Sequence, residues 1–217
     1  MRVLTMFLLA ATLVLLGFTS LKAQSSSFTD KELEQPVYRM LQELHGWGRE
    51  NRMLNVPPQD GRLLQMLIVM NGVKDVVEVG TSNGLSSIWM ALGLKETGGK
   101  LTTLEIDPQK VKLAGENFAK TGVADLITII EGDALEELPK LEGTFDFVFL
   151  DAAKGQYLDY LKAVWGNIPS GGVIVAHNAI RQARSMRSYL DYVQNHPELQ
   201  TVMLTTGDDG VALSYRN

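Results

Sequence analysis

Several stretches of this chain combine chemically capable residue types with spacings that can bring them together. Glu78-Val79-Gly80-Thr81-Ser82-Asn83-Gly84-Leu85-Ser86 contains an acid, two glycines and no Arg or Lys. Glu105 and Gly132-Asp133-Ala134 follow, then Asp151 and Lys154 three positions apart, then His177-Asn178. Gly80 and Gly84 permit a tight turn and close approach of backbone to a ligand. A helix opening after them would present free N–H groups to a carboxylate or phosphate. The spacing is Gly-x-x-x-Gly, not the Gly-x-Gly-x-x-Gly of dinucleotide sites.

The acids sharpen this picture. A carboxylate at Glu105 can accept hydrogen bonds from ribose hydroxyls; the plainer alternative is a solvated charge at a strand end. Asp133 stands where an adenine would lie, and it equally opens a capping box with Glu136. Glu78 ends an apolar run, and a buried carboxylate needs a cationic or hydrogen-bonding partner. An amine-bearing cofactor would supply one. With no cation in the loop a pyrophosphate is disfavoured. The combination fits S-adenosylmethionine, which carries a sulfonium, an amine and a carboxylate.

The elements that must position these residues alternate. Strands are expected over 75–79, 101–106, 126–130, 145–150, 173–176, 201–205 and 211–215. Helices are expected over 85–94, 108–120, 134–139, 157–165 and 180–194, the second opened by an Asp107 N-cap with Pro108. Near-continuous apolar strands alternating with helices predict an α/β fold: a Rossmann-like, doubly wound, mostly parallel seven-stranded sheet. An antiparallel C-terminal hairpin, turning through Gly207-Asp208-Asp209-Gly210, would form its edge. Ligands in such sheets bind beyond the carboxyl ends of the strands, where the candidate residues fall. Ahead of the sheet, apolar spacing predicts one helix over 30–51, stopped by Gly46 and Gly48, and a second over 59–70.

The N-terminus reads differently. Arg2 precedes an uncharged stretch, densest in apolar residues from Met6 to Phe18, and Leu21-Lys22-Ala23 follows. This pattern predicts a secretory signal or an anchor over 1–23. The domain would then be exported or held at a membrane by that segment alone, in conflict with a cofactor made in the cytosol. Ser25-Ser26-Ser27 reads as a linker, residues 24–58 as a linker and N-terminal helix region, and 59–217 as the cofactor-binding domain. The 217 residues carry a net charge of −5, which argues against a nucleic-acid partner bound through a broad basic surface. No cysteine is present, which removes disulfides, thiolate metal sites and a Cys nucleophile.

From Asn55 to the C-terminus the chain resembles the class I S-adenosylmethionine-dependent O-methyltransferases of the catechol and caffeoyl-CoA type. The matching stretches are Asn55-Val56, Glu78–Ser86, Leu104–Pro108, Gly132–Ala134, Phe145–Lys154 and His177-Asn178, in the same order and spacing. The resemblance implies methyl transfer to a hydroxyl of a small aromatic molecule. It implies that Val56, Glu78, Gly80 and Ser86 line the methionine end, that Glu105 holds the ribose, and that Asp133 and Ala134 border the adenine. Asp151 would lie by the cofactor and bind a divalent metal, and Lys154 would act as general base. That chemistry suits a phenol, whose pKa of about 10 calls for a base or a Lewis acid at neutral pH.

The chain also departs from the family. Asp-Asn is usual where His177-Asn178 stands, so a metal set of Asp151, His177 and Asn178 has one carboxylate fewer and should favour Mg²⁺ less. Three roles for His177 stay open: metal ligand, base, or a hydrogen-bonded histidine outside the chemistry. Arg52, Leu54 and Ala212 stand where the catechol enzymes carry a Trp, a Met and a substrate-binding acid, so catechol itself is not carried over. A nicotinamide-dependent oxidoreductase and a non-catalytic binding module are the competing readings. The N-terminal helices offer a surface for a homodimer.

Overall fold

A computed structural model describes residues 28–217. The expected signal or anchor over 1–23 and the Ser25–Ser27 linker lie outside the described residues. Among the described residues no helix is long and apolar enough to cross a membrane.

Three helices precede the sheet: α1 (Asp30–Leu33), α2 (Pro36–Glu50) and α3 (Pro58–Asn71). The single helix expected over 30–51 is broken at Pro36. Proline disfavours the helical region for the residue before it, and Gln35 is extended at φ −90°, ψ 132°. Gly46 and Gly48 lie inside α2 rather than ending it. Gly48 is a packing position, where a Cβ would collide with the Asn55 side chain.

The sheet then forms from β1 (Asp75–Val79), β2 (Lys100–Glu105), β3 (Ile127–Glu131), β4 (Phe147–Leu150), β5 (Val173–His177), β6 (Leu199–Leu204) and β7 (Val211–Arg216). Its order is β3-β2-β1-β4-β5-β7-β6. The first five strands are parallel, and β7 runs antiparallel between β5 and β6. The connecting helices are α4 (Leu85–Thr97), α5 (Pro108–Thr121), α6 (Ala134–Glu137), α7 (Tyr157–Val164) and α8 (Arg187–Asn195). The Asp107 carboxylate caps α5 by accepting the Gln109 N–H at 2.9 Å.

Strand β4 is apolar on both sides, and β1 is buried on both sides from Val76 onward, because helices cover both faces. One core gathers α2 to α5 around the fully buried Trp89, against which Phe28 and Tyr38 pack. The other holds Tyr157, Tyr189 and Leu161 beneath α7 and α8. Strand order reverses between β1 and β4, so the crevice of a doubly wound sheet opens beyond Val79 and Leu150.

Helix α8 starts at Arg187, not at Ile180. The N–H groups of Ala179, Ile180 and Arg181 donate to the carbonyls of Gly210 and Asp209 across the β6–β7 turn. Residues 178–186 form a series of turns beside the sheet.

Candidate active site

The glycine loop is built by backbone geometry. Gly80 has φ +103°. A Cβ there would lie 2.5 Å from the Asp151 carbonyl oxygen, which places the β1 and β4 ends in contact. Ser82, a non-glycine, is also left-handed at φ +51°. The Asp151 N–H donates to the Val79 carbonyl at 2.9 Å, fixing the start of the next loop beside Gly80.

Beyond these ends lies a cleft of about 500 Å³. Gly80, Glu105, Asp133, Ala134 and Asp151 line it together, with Arg52 and Lys110 also on its wall. Val56 and Ser86 line a small recess that shares Gly80 and Asp151 with the cleft. Residues from four strand ends therefore converge on one opening.

Glu105 is held from behind. Its Oε2 accepts the Ser82 N–H at 2.8 Å, and Oε1 accepts the N–H groups of Ile106 and Asp107, each at 3.1 Å. Oε2 retains a lone pair for a hydroxyl donor. Asp133 caps α6, accepting the Leu135 N–H at 2.9 Å. Glu78 lies outside the cleft wall and is fully buried. Its oxygens accept the hydroxyls of Ser86 and Ser87. Burial outweighs these bonds and pushes its carboxyl up to about 7.

Lys154 reaches Asp151 Oδ1 at 2.6 Å and donates to the Tyr157 hydroxyl at 2.8 Å. Burial and the nearby Asp151 charge raise the Tyr157 phenol well above its usual range. His177 ends β5 and is buried. Its Nε2 lies 2.8 Å from Asp60 Oδ2, and its Nδ1 lies 3.2 Å from Asp151 Oδ2, outside hydrogen-bond alignment. Burial alone would lower the imidazole pKa, but the Asp151 and Asp60 carboxylates override it and push it up to about 9. Burial would raise Asp151, yet His177 and Lys154 hold it below the usual carboxylate range.

The ligand set expected of Asp151, His177 and Asn178 does not fit a metal. Both His177 ring nitrogens face carboxylates, and Lys154 covers the other Asp151 oxygen. Asn178 is left-handed at φ +63°, and its carbonyl accepts the Gln182 N–H. Among the described residues no group of three or more His, Asp or Glu side chains is arranged to hold an ion.

Asp60 is the site residue that sequence reasoning missed. An acid in the first turn of α3 has a sufficient local explanation in the helix dipole. The partner that gives it another role lies 117 positions away. Tyr157 was missed for a similar reason, since it reads as an ordinary core aromatic of α7.

Residues 33–216 match the model of the O-methyltransferase family, and the chain belongs to that family. A protein of Niastella koreensis named catechol O-methyltransferase is 35% identical over 151 residues, covering 68% of this chain and 66% of that protein. One of Mycobacterium tuberculosis with the same name is 34% identical over 175 residues, covering 73% and 79%. Among solved structures, the O-methyltransferase from Bacillus cereus in complex with SAH superposes with a TM-score of 0.75 at 25% identity. That match covers 82% of this chain and 91% of the other. The chain thus spans just under two thirds of the Niastella relative and more of the Mycobacterium tuberculosis one.

Proposed function

We propose that this chain is an S-adenosylmethionine-dependent O-methyltransferase acting on a hydroxyl of a small aromatic molecule. One observation carries the reading: Glu105, poised to take a ribose hydroxyl, and the Asp151–Lys154 pair stand at the same opening beyond the β1 and β4 ends. The residues present fit the cofactor. The glycine loop brings backbone close to the cleft, Asp133 and Ala134 border it, and the loop carries no cation that would call for a pyrophosphate. When bound, the cofactor supplies an electrophilic methyl group on its sulfonium. Val56, Gly80 and Ser86 would hold its methionine end, with Glu78 bracing that wall through Ser86.

Lys154 handles the acceptor proton. A neutral amine has two N–H donors and one lone pair. Asp151 and Tyr157 account for two donors, which leaves the third direction of Nζ to receive the hydroxyl proton. With the cofactor bound to supply the methyl group, Nζ would take the hydroxyl proton and Asp151 would stabilise the ammonium so formed.

The relatives named for catechol support a hydroxylated aromatic acceptor, while Arg52 and Leu54 at this chain's cleft set its choice within that class. Calorimetry with S-adenosylmethionine and with NAD, followed by mass-spectrometric turnover on a panel of phenols that includes catechol, tests the reading. Binding of S-adenosylmethionine and a methylated phenol are expected. Binding of NAD alone, or cofactor binding with no methylated product across the panel, would overturn it.

A further inference from the structure

One buried cluster extends behind the site described above and shares only Asp151 with it. Asp60 comes from α3, His177 from the end of β5 and Asp151 from the end of β4. Gly61 lets α3 press onto α4, since a Cβ there would collide with the Trp89 ring. That close approach delivers Asp60 to the back of His177.

An ionised carboxylate only accepts. Each of its contacts with the ring is attractive only when the facing nitrogen carries a hydrogen. Asp60 Oδ2 is the hydrogen-bond partner of Nε2 at 2.8 Å and Asp151 Oδ2 lies 3.2 Å from Nδ1, so a ring set between the two acids is favoured as an imidazolium. Lys154 Nζ covers Asp151 Oδ1 at 2.6 Å. Two basic side chains thus face two acids, and each Asp151 oxygen already faces a nitrogen. Mg²⁺ demands a near-octahedral set of oxygens. Here it would meet the Lys154 amine and a positively charged ring anchored from behind by Asp60.

We propose that Asp60 is a positioning residue that pins His177 against Asp151, and that the pinned ring neutralises Asp151 in place of a divalent ion, so that methyl transfer needs no added metal. Asp60 and His177 are buried and act through Asp151, which in turn orients Lys154. The inference rests on the methyl-transfer reading, but two of its readouts need no turnover.

The test uses the full chain. Mg²⁺ alone is titrated calorimetrically, and turnover is measured with and without chelator. The His177 ring nitrogens are read by ¹⁵N NMR, assigned with His177→Gln. Steady-state constants are taken for Asp60→Asn and Asp60→Glu. The wild type should bind no Mg²⁺, ignore chelator and show both ring nitrogens protonated at neutral pH. Asp60→Asn should change the ring signals and lower kcat about tenfold or more, the scale of supporting partners around reactive centres. KM should stay unchanged, and Asp60→Glu should recover part of the rate. His177→Asp, which gathers three acids, should gain Mg²⁺ binding and keeps the idea testable where Asp60→Asn does not fold. Mg²⁺ binding by the wild type, loss of turnover on chelation, or a folded Asp60→Asn with native kcat and ring signals would overturn the proposal. Failure of the methyl-transfer reading would appear instead as absent S-adenosylmethionine binding, with metal and ring measurements still interpretable.

Discussion

The imidazole Nε2 of His177 lies 2.8 Å from Oδ2 of Asp60, although 117 positions of chain separate the two residues. Both side chains are nearly excluded from solvent, and among the described residues Asp60 Oδ1 has no hydrogen-bond partner. Breaking a buried ion pair by removing one member leaves the other uncompensated, at a cost of about 3–5 kcal/mol. His177→Ala should lose about that much stability in urea unfolding. A loss under about 1 kcal/mol would show that the pair is solvated or neutral.

The same pair fixes a pH dependence. The folded-state pKa of His177 is raised to about 9 from its ordinary 6.5. Its contribution is therefore fully present below about pH 6.5 and is lost as pH climbs through about 9. Glu78, raised to about 7 from 4.5, acts in the same direction, because its burial favours the protonated form and costs stability as pH rises from 4.5 through 7. Thermal unfolding without ligand should show a midpoint that falls between pH 6 and pH 9. Glu78→Gln should flatten the lower part of that fall and His177→Gln the upper part. A midpoint flat over this range in the wild type would contradict both assignments.

Glu105 is the anchor proposed for the ribose. Three backbone N–H groups hold it in place before any ligand arrives, so little ordering remains to be done on binding. Glu105→Ala removes a charged acceptor, and hydrogen bonds to charged groups contribute about 1.5–3 kcal/mol each. S-adenosylmethionine affinity should weaken by about 10-fold to 150-fold in calorimetry. Unchanged affinity in the folded variant would remove Glu105 from the cofactor site.

How far these features could be read in the sequence depended on how local their causes are. The strand–helix alternation was readable because buried parallel strands must be apolar on both faces, as Phe147–Leu150 are. The α5 boundary was readable because Asp107 and Pro108 act on their own neighbours. The cleft-lining Gly80, Glu105, Asp133 and Asp151 followed from the rule that ligands meet strand ends. Tertiary partners decided the rest. The N–H groups of Ala179, Ile180 and Arg181 bond to the turn at Asp209 and Gly210, a partner far along the chain, and α8 is shorter than its periodic pattern. Gly48 reads as a helix stop, yet it sits inside α2, where the Asn55 side chain leaves no room for a Cβ. His177 kept three roles open, as metal ligand, base or hydrogen-bonded histidine, because Asp60, its partner across the core, was out of view.

Lys154 should act on the chemical step rather than on cofactor affinity. Its contacts are Asp151 and Tyr157, not the ribose or adenine end of the cleft. Lys154→Met keeps most of the stem and removes the amine. Loss of a general base lowers turnover by about 10²–10⁴-fold. S-adenosylmethionine binding should be retained, and stability should change little because the Lys154–Asp151 contact is partly open to solvent. Full turnover in this variant would mean that another group takes the proton.

Gly80 tests the loop itself. At φ +103° an L side chain is strained, a cost of about 1–3 kcal/mol. The added Cβ would also lie 2.5 Å from the Asp151 carbonyl oxygen and 2.9 Å from its carbon, both backbone atoms that cannot swing aside. Gly80→Ala should therefore push the β1 and β4 ends apart, lowering stability and weakening S-adenosylmethionine binding together. Gly115 is the control. It lies inside α5 with nothing within 4 Å of an added methyl group, so Gly115→Ala should add up to about 1 kcal/mol through helix propensity and leave binding untouched. If Gly80→Ala matched Gly115→Ala in both measurements, the contact between the two strand ends would have no part in forming the cofactor site.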